Sequence, residues 1–460
     1  KIRRELGESL KSVERFDAPI EQVTTSSLEA LHLFSLGNQQ FFAGKFREAI
    51  PFYQRATDAD RNFAMAYARL ATAYYNSLEN DLAAEASAKA YQLSSHATER
   101  ERFYIEQNYF QHATGEMEKA AQVLEVWQQT YPRDYSPRNN LAVVQSVLGN
   151  YERSLEKARE ALSIDPKRPF AYIMSSIALR GLNRGAEAKA ILERASANHV
   201  DAPHLHQQRF RLAVMDDDLI AMQQQHDWAA TNPMGDMVVY YDGDLALSHG
   251  QLRKASSEIR KAVDIGLRRD DKEGSALGLS EYYFWSAAMG RCQASMSREI
   301  LGLASTTESA WRTALGLAFC RESSQALALA DELARKHPKD TILERRNPGG
   351  AVEILRTPER YDLAFDSNGV PIYLRGLAYL GQQRGREALA EFEKILSHKY
   401  LYRGEPEFTL SILGAARASA LTGDIERSRR YYADLMQWWQ DADSNVPIVQ
   451  QAKKEFLALR

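Results

Sequence analysis

The stretch 135–166, YSPRNNLAVVQSVLGNYERSLEKAREALSIDP, contains two amphipathic segments that meet at Gly149-Asn150. Apolar or small residues recur at helical spacing in both segments. The second segment stops at Asp165-Pro166, because proline lacks the amide hydrogen needed to continue a helix. The stretch therefore predicts a helix–turn–helix pair. Such a pair cannot bury its apolar face alone, so it requires neighbours of the same kind.

The pattern returns along the chain at a fixed interval. Pro132 and Pro166 are 34 residues apart, as are Gly115 and Gly149. Two pairs of alanines keep the same interval: Ala56 with Ala90, and Ala161 with Ala195. A recurring interval of this length is the mark of a repeat protein in which each unit packs on the next.

The repeat resembles the tetratricopeptide repeat (TPR), a helix–turn–helix unit of the same period. The first clear copy carries the motif residues Leu33, Leu36, Gly37, Gly44, Phe46, Ala49, Tyr53 and Ala56. The resemblance implies an all-α fold, a right-handed α-α superhelix (a TPR solenoid). Glycine-marked turns argue against the alternative of a coiled coil. We expect each repeat to pack only on its neighbours.

The spacing divides the chain into four parts. Residues 1–28 form an N-terminal helix and linker, with Ser26 and Glu29 as the capping box of the next helix. A TPR array of about nine repeats follows over 29–340, further TPR units occupy 341–442, and a C-terminal capping helix with one polar side covers 443–460.

The repeat pattern breaks near 343–350. Too few residues precede the sequence GAVEIL to supply a full first helix. Either a helix has been lost, or residues have been left out and the numbering closed up; we favour the second explanation.

Composition excludes several function classes. The net charge of −3 gives no global basic field, so we expect no nucleic-acid partner for this region. No apolar run is long enough for a membrane span. The two cysteines, Cys292 and Cys320, cannot form a disulfide framework or a CxxC motif, and we expect them to be small buried hydrophobic residues.

The chain begins at Lys1 without a methionine or a signal-like apolar segment. We therefore interpret it as a piece of a longer polypeptide. A cytoplasmic location is expected, and it stays open if the parent protein is anchored to a membrane. The oligomeric state is not indicated by the sequence.

The sequence contains no catalytic motif, so the chain by itself is not expected to be an enzyme or to hold a cofactor or metal. His199, His204 and His206 lie close in sequence and could bind a metal, but a helix start after an inter-repeat turn explains them more simply. The run 216–218, Asp-Asp-Asp, lacks the spacing of a calcium loop and is interpreted as a polar turn.

Binding is expected on the concave face, which the first helix of each pair lines. The repeat positions that face this groove are rich in aromatic and amide side chains, which suit a protein or peptide ligand. Packing between helices is the competing explanation for the aromatic residues. The candidate protein-binding groove consists of Phe34, Asn38, Phe41, Thr72, Tyr75, Ile105, Tyr109 and His112. It lacks the Lys/Asn/Arg set with which chaperone-binding repeat proteins hold a C-terminal carboxylate.

Several segments match a more specific pattern. They are LGESL at 6–10, FDAP at 16–19, TTSSLEA at 24–30, ERFYIE at 101–106, TYPRD at 130–134, WQDAD at 439–443, VPI at 446–448 and QAK at 451–453. Together they resemble the TPR-rich C-terminal region of bacterial eukaryotic-like serine/threonine protein kinases. The resemblance implies an interaction scaffold or sensor region of a signalling protein whose kinase domain lies upstream. Similar regions also follow winged-helix DNA-binding domains in transcriptional regulators, which is the alternative.

Overall fold

The computed structural model describes residues 25–340 and 369–459, and every regular element in these ranges is a helix. The all-α repeat fold expected from the sequence is confirmed. None of the described helices is long and apolar enough to cross a membrane. The predicted helix within 1–24 and the break near 343–350 lie outside the described residues.

The helices alternate as the two members of successive pairs. The first five pairs are α1 Leu28–Phe42 with α2 Phe46–Ala59; α3 Ala64–Asn76 with α4 Asn80–Gln92; α5 Glu99–Asn108, continued by a π-helix Tyr109–Thr114, with α6 Met117–Thr130; α7 Tyr135–Val147 with α8 Tyr151–Ile164; and α9 Pro169–Gly181 with α10 Gly185–Ala197.

Four more pairs complete the first described range: α11 Pro203–Met215 with α12 Leu219–Thr231; α13 Asp236–Ser248 with α14 Leu252–Leu267; α15 Lys272–Ala288 with α16 Met296–Leu303; and α17 Thr307–Phe319 with α18 Ser323–Lys336. The second range contains α19 Val370–Gly381 with α20 Gly385–Ser397, the short α21 Lys399–Tyr402, α22 Pro406–Leu421 with α23 Ile425–Trp438, and the terminal α24 Pro447–Ala458.

The stretch 135–166 shows why these residues form a pair. The Asp134 carboxylate caps α7 by accepting a hydrogen bond from the Ser136 amide (3.1 Å). Gly149 adopts a φ of 81°, a left-handed conformation that glycine enters without the penalty of a Cβ. Ala142 of α7 and Ala161 of α8 are fully buried, because only small side chains fit where the two helices approach closely.

Two sequence-based expectations need correction. The helix α1 is capped by Ser27, whose hydroxyl accepts from the Ala30 amide (3.1 Å), and not by Ser26 with Glu29. Cys292 and Cys320 are not separate buried hydrophobic residues: they form a disulfide, Cys292 is exposed, and Cys320 is half-buried. The two cysteines lie at the ends of α15 and α17, the first helices of consecutive pairs, which pack side by side.

The chain divides into two compact units. Of the described residues, unit 1 consists of 25–175, 195–202 and 337–340, and unit 2 consists of 176–194, 203–336 and 369–459. The four-part division expected from the sequence stays a prediction. Unit 1 has a continuous core in which Tyr104, Leu124 and Trp127 pack between the second and fourth pairs.

Unit 2 contains contacts that the nearest-neighbour expectation did not include. The Tyr400 hydroxyl donates to the Asp216 carboxylate (2.8 Å), and the Trp439 indole donates to the Ser248 carbonyl oxygen (3.0 Å). Arg211 of α11 forms an ion pair with Glu405, the residue just before α22. Pairs separated by more than 180 residues therefore hold one another directly within this unit.

Candidate functional site

A cavity of about 400 Å³ lies in unit 1 along the first helices of five successive pairs. The helices α1, α3, α5 with its π-helix, and α7 supply most of its wall, and the turn before α9 closes one end. Its lining residues are Phe41, Phe42, Arg69, Thr72, Tyr75, Asn76, Tyr104, Gln107, Asn108, Gln111, His112, Tyr135, Ser136, Asn139, Asn140, Val143, Lys167, Arg168, Pro169 and Phe170. A cavity of this size with a few convergent polar groups is typical of a ligand site.

The floor of the cavity is a hydrogen-bonded contact between α3 and α5. The Thr72 and Tyr104 hydroxyl oxygens are 2.7 Å apart, and the Asn108 amide nitrogen donates to the Thr72 hydroxyl (3.0 Å). Asn108 also donates to the Ala68 carbonyl oxygen (3.2 Å), which locks its side chain. These bonds hold the polar groups of the floor in fixed positions before any ligand binds.

One buried acceptor on this floor has no donor. Gln107 is 1% exposed, and its side-chain carbonyl oxygen accepts no hydrogen bond from the described residues. An unsatisfied buried polar atom costs about 1–3 kcal/mol. A ligand N–H group that reached this oxygen would recover part of that free energy.

The π-helix after Asn108 places His112 on the cavity wall. Its imidazole ring packs on the Tyr75 ring, with 4.2 Å between the ring centroids. Burial lowers the pKa of His112 to about 3, because the charged form loses its hydration. The ring is therefore neutral at physiological pH and offers an apolar face with Tyr75.

The charged residues of the lining are all cations. Arg69 donates to the Tyr104 hydroxyl (3.2 Å), and its guanidinium lies over the Tyr104 ring, 4.6 Å from the centroid. Arg168 forms an ion pair with Asp165 (2.9 Å), whereas the exposed Lys167 has no carboxylate partner among the described residues. No aspartate or glutamate belongs to the described lining, so the formal charge of its side chains is positive.

The structure brings four of the eight predicted groove residues together, namely Phe41, Thr72, Tyr75 and His112, in the lining of this cavity. The other four lie elsewhere. Phe34 packs on the Tyr53 and Phe63 rings, Asn38 accepts a hydrogen bond from the Tyr53 hydroxyl (2.9 Å), Ile105 is fully buried in the core, and Tyr109 stacks on Tyr91 with 4.2 Å between centroids.

The difference on α5 has a simple geometric cause. The predicted stripe follows Ile105 and Tyr109, whereas the cavity face follows Tyr104 and Asn108, one residue earlier. One residue is about 100° of rotation around an α-helix, which separates the core side from the groove side. The π-helix Tyr109–Thr114 then changes the helical phase, and His112 of the predicted stripe does line the cavity.

Sequence reasoning also missed the amide residues of the wall. Gln107-Asn108 and Asn139-Asn140 are adjacent amide pairs on the first helices of consecutive repeats, and Gln111 follows one turn later. Asparagine is a weak helix former, so the recurrence of Asn108, Asn139 and Asn140 on first helices was the available signal.

The histidine and aspartate runs have structural roles. The His206 ring stacks on Trp228 with 4.0 Å between centroids. Asp218 caps α12 by accepting from the Ala221 amide (3.0 Å), and Asp217 pairs with Arg403 (2.7 Å). No group of side chains with metal-binding geometry occurs within 25–340 or 369–459.

Unit 2 has buried carboxyl groups where α13 meets α22. Burial raises the pKa of both Asp244 and Glu407, and the nearby Glu405 carboxylate raises them further. Arg211, which pairs with Glu405, opposes the effect on both groups. These groups belong to the contact between distant pairs and line no cavity described here.

Comparison with known proteins finds helical repeat structures. No protein-family model and no curated protein matches the chain. A structure of the human IFIT1 dimer with m7Gppp-AAAA is 14% identical, covers 85% of this chain and 96% of its own, and has a TM-score of 0.39. A tetratricopeptide repeat protein from Parabacteroides merdae is 17% identical over 60% of this chain and 99% of its own, with a TM-score of 0.27. A crystal structure of MamA protein is 21% identical over 37% of this chain and 92% of its own, with a TM-score of 0.25. The fold assignment rests on the helix pairs and their spacing, not on these matches.

Proposed function

We propose that unit 1 binds a protein partner through an extended peptide segment that lies in the cavity. The observation that carries the proposal is the continuous wall formed by the first helices of five successive pairs. A row of parallel helices offers polar groups at regular intervals, which a chain with its own repeating donors and acceptors can match. Chemistry on a bound substrate is not part of the proposal.

The wall is curved, and its two ends meet. The Arg168 guanidinium, just before α9, lies 5.2 Å from the centroid of the Phe42 ring on α1, and the Phe46 and Phe170 ring centroids are 6.2 Å apart. The cavity is therefore bounded by the first pair on one side and by the start of the fifth pair on the other, and it suits a short peptide segment. Tyr75, His112 and Val143 provide apolar contact area, while Gln111 and Asn140 provide hydrogen-bonding groups.

The test is a selection from a random library of 12-residue peptides displayed on phage, followed by fluorescence polarisation with the enriched peptides. Tyr75→Ala, in the cavity, is expected to weaken binding at least tenfold. Tyr91→Ala is the matched control, because Tyr91 is 40% exposed and does not line the cavity. Asn140→Ala removes a wall amide with little effect on packing.

The proposal is supported if Tyr75→Ala and Asn140→Ala weaken binding while Tyr91→Ala changes it less than twofold. Circular dichroism should show equal helix content for all variants. A selection that enriches no peptide, or peptides that bind all variants equally, would refute the cavity as a peptide site.

The finer proposal is that this chain is the interaction scaffold or sensor region of a bacterial signalling protein with a serine/threonine kinase domain. The resemblance of segments such as 101–106 and 130–134 supports it. The alternative is the effector region of a winged-helix transcriptional regulator. Reading the parent open reading frame distinguishes them: kinase glycine-loop and catalytic-loop motifs support the first, and a basic recognition helix supports the second.

A further inference from the structure

We infer that the peptide bound in the cavity of unit 1 is acidic, with aspartate or glutamate side chains directed toward Lys167 and Arg168. The inference rests on the proposed function. It specifies the chemistry of the partner segment, which neither the repeat fold nor the notion of a binding groove determines.

Charge complementarity is the first argument. The lining contains three cations and no carboxylate among the described residues, although the whole chain has a net charge of −3. The lining is therefore positively charged although the chain as a whole is slightly negative. Lys167 is exposed and makes no ion pair with a described residue. A ligand carboxylate could therefore pair with Lys167 without displacing another carboxylate.

The position of the cations is the second argument. Lys167 and Arg168 precede Pro169, the first residue of α9. The guanidinium groups of Arg168 and Arg69 lie 5.2 and 5.3 Å from the centroid of the Phe42 ring, so the cations are grouped where the start of α9 meets α1. The Arg168 guanidinium also lies over the Tyr135 ring, 4.8 Å from its centroid, and this contact fixes its position at the rim. Acidic side chains at one position of the peptide would therefore meet these cations together.

The amide groups of the wall are the third argument, and they favour a peptide over a nucleic acid. Gln107 has a carbonyl oxygen without a donor, and a peptide main chain supplies an N–H group at every residue except proline. A single-stranded nucleic acid has a negative charge at every nucleotide and requires a groove whose positive charge follows its whole length. Here the cations of the described lining are grouped around the Phe42 ring, over which both Arg69 and Arg168 lie, and they do not follow the whole wall.

Defined probes test the inference. The acidic probe is a fluorescein-labelled peptide in which aspartate alternates with leucine over twelve residues. Matched probes carry asparagine or lysine in place of aspartate, and a twelve-nucleotide oligouridylate represents nucleic acid. We expect the acidic peptide to bind at least tenfold more tightly than the asparagine peptide in 50 mM salt, with a smaller difference at high salt.

Charge reversal supplies the decisive variant. Lys167→Glu with Arg168→Glu is expected to abolish the preference for the acidic peptide and to favour the lysine peptide. The control Lys45→Glu with Arg133→Glu makes the same change of net charge at exposed positions outside the cavity and should leave the preference intact. If loss of the Arg168–Asp165 ion pair impairs folding of the double variant, the single variant Lys167→Glu is used instead, because it leaves that ion pair in place.

The outcomes separate the inference from the proposed function. Equal binding of acidic and asparagine peptides, with a tenfold loss in Tyr75→Ala, would overturn the acidic ligand and leave the peptide groove standing. Tighter binding of oligouridylate, lost on charge reversal, would overturn both in favour of a nucleic-acid site. Failure of every probe to bind would overturn the inference, and the phage selection then decides the proposed function.

Discussion

Replacing Gly37 by alanine tests whether the first helix pair packs as closely as the structure shows. Gly37 lies on α1 against the ring of Tyr53 on α2, and Tyr53 is fully buried. A Cβ at position 37 would be 2.6 Å from Tyr53 Cε1 and 2.8 Å from Cδ1. Carbon atoms in contact are normally about 3.5–4.0 Å apart, so the ring would have to move by about 1 Å.

Two opposing effects set the size of the change. Overpacking a buried site costs about 1–3 kcal/mol, and the Tyr53 ring is held at its far end by the hydrogen bond to Asn38 (2.9 Å). Alanine is favoured over glycine in a helix by about 1 kcal/mol. We expect a net loss of about 1 kcal/mol in the local free energy of unfolding. Gly302→Ala on α16 is the matched control, because no atom lies within 4 Å of its added Cβ. That control should gain up to about 1 kcal/mol from helix propensity alone.

Amide hydrogen exchange measured by mass spectrometry is the suitable assay, because repeat proteins open unit by unit. Exchange across α1 and α2 should become about fivefold faster in Gly37→Ala, and exchange across α16 should become slower in Gly302→Ala. If Gly37→Ala protects its helices as much as Gly302→Ala protects α16, the close approach of α1 and Tyr53 is wrong.

Three further predictions concern protonation, the disulfide and a buried ion pair. Burial lowers the folded-state pKa of His112 to about 3, so the unfolded chain takes up the proton first as pH falls below about 6.5. Unit 1 should lose about 2.5 kcal/mol of stability by pH 4.5, and His112→Gln should remove that part of the loss in urea titrations. Cys292 and Cys320 should resist iodoacetamide until a reductant is added, as read by intact mass, and the reduced protein should be less stable by about 3 kcal/mol; alkylation without reductant would contradict the disulfide. Arg375 and Glu391 are 5% and 7% exposed and 2.6 Å apart, so Arg375→Leu should destabilise unit 2 by about 3 kcal/mol in thermal melts, with most of the loss recovered when Glu391→Leu is added.

The helix pairs could be predicted from the sequence because their determinants are local. Ala142 and Ala161 mark the close approach of two helices, and Gly149 marks the turn between them, all within one repeat. The period of 34 residues then places the same small residues and turns in each successive helix pair. These features can be recognised without knowing which residues from distant parts of the chain pack on the pair.

The candidate site was predicted only in part because side-chain direction depends on helix phase. Tyr75 was placed in the groove, since the second repeat keeps the regular spacing. The third repeat begins after extra residues and its first helix ends in a π-helix, so Tyr109 turned toward Tyr91. Asn108 took the groove position, because a one-residue change of phase moves a side chain to another face.

The disulfide could not be predicted from the spacing of the cysteines. Cys292 and Cys320 are 28 residues apart, which corresponds to no disulfide motif. They approach because α15 and α17 pack side by side, with Cys292 in the segment after α15 and Cys320 at the end of α17. This packing is a tertiary contact, which the spacing of two cysteines does not specify.

The direct contacts between distant pairs of unit 2 affect how this unit is synthesised. Trp439 donates to the carbonyl oxygen of Ser248, a residue 191 positions earlier. At about 5–20 residues per second, a ribosome needs roughly 10–40 s to supply that partner. During this delay α11 and α13 have neighbouring helices but lack their contacts with the later part of unit 2, including the ion pair between Arg211 and Glu405. A nonsense mutation between 290 and 400 should therefore do more than shorten the array: we expect the remaining pairs of unit 2 to stay open to proteases, so that this unit is degraded back to unit 1.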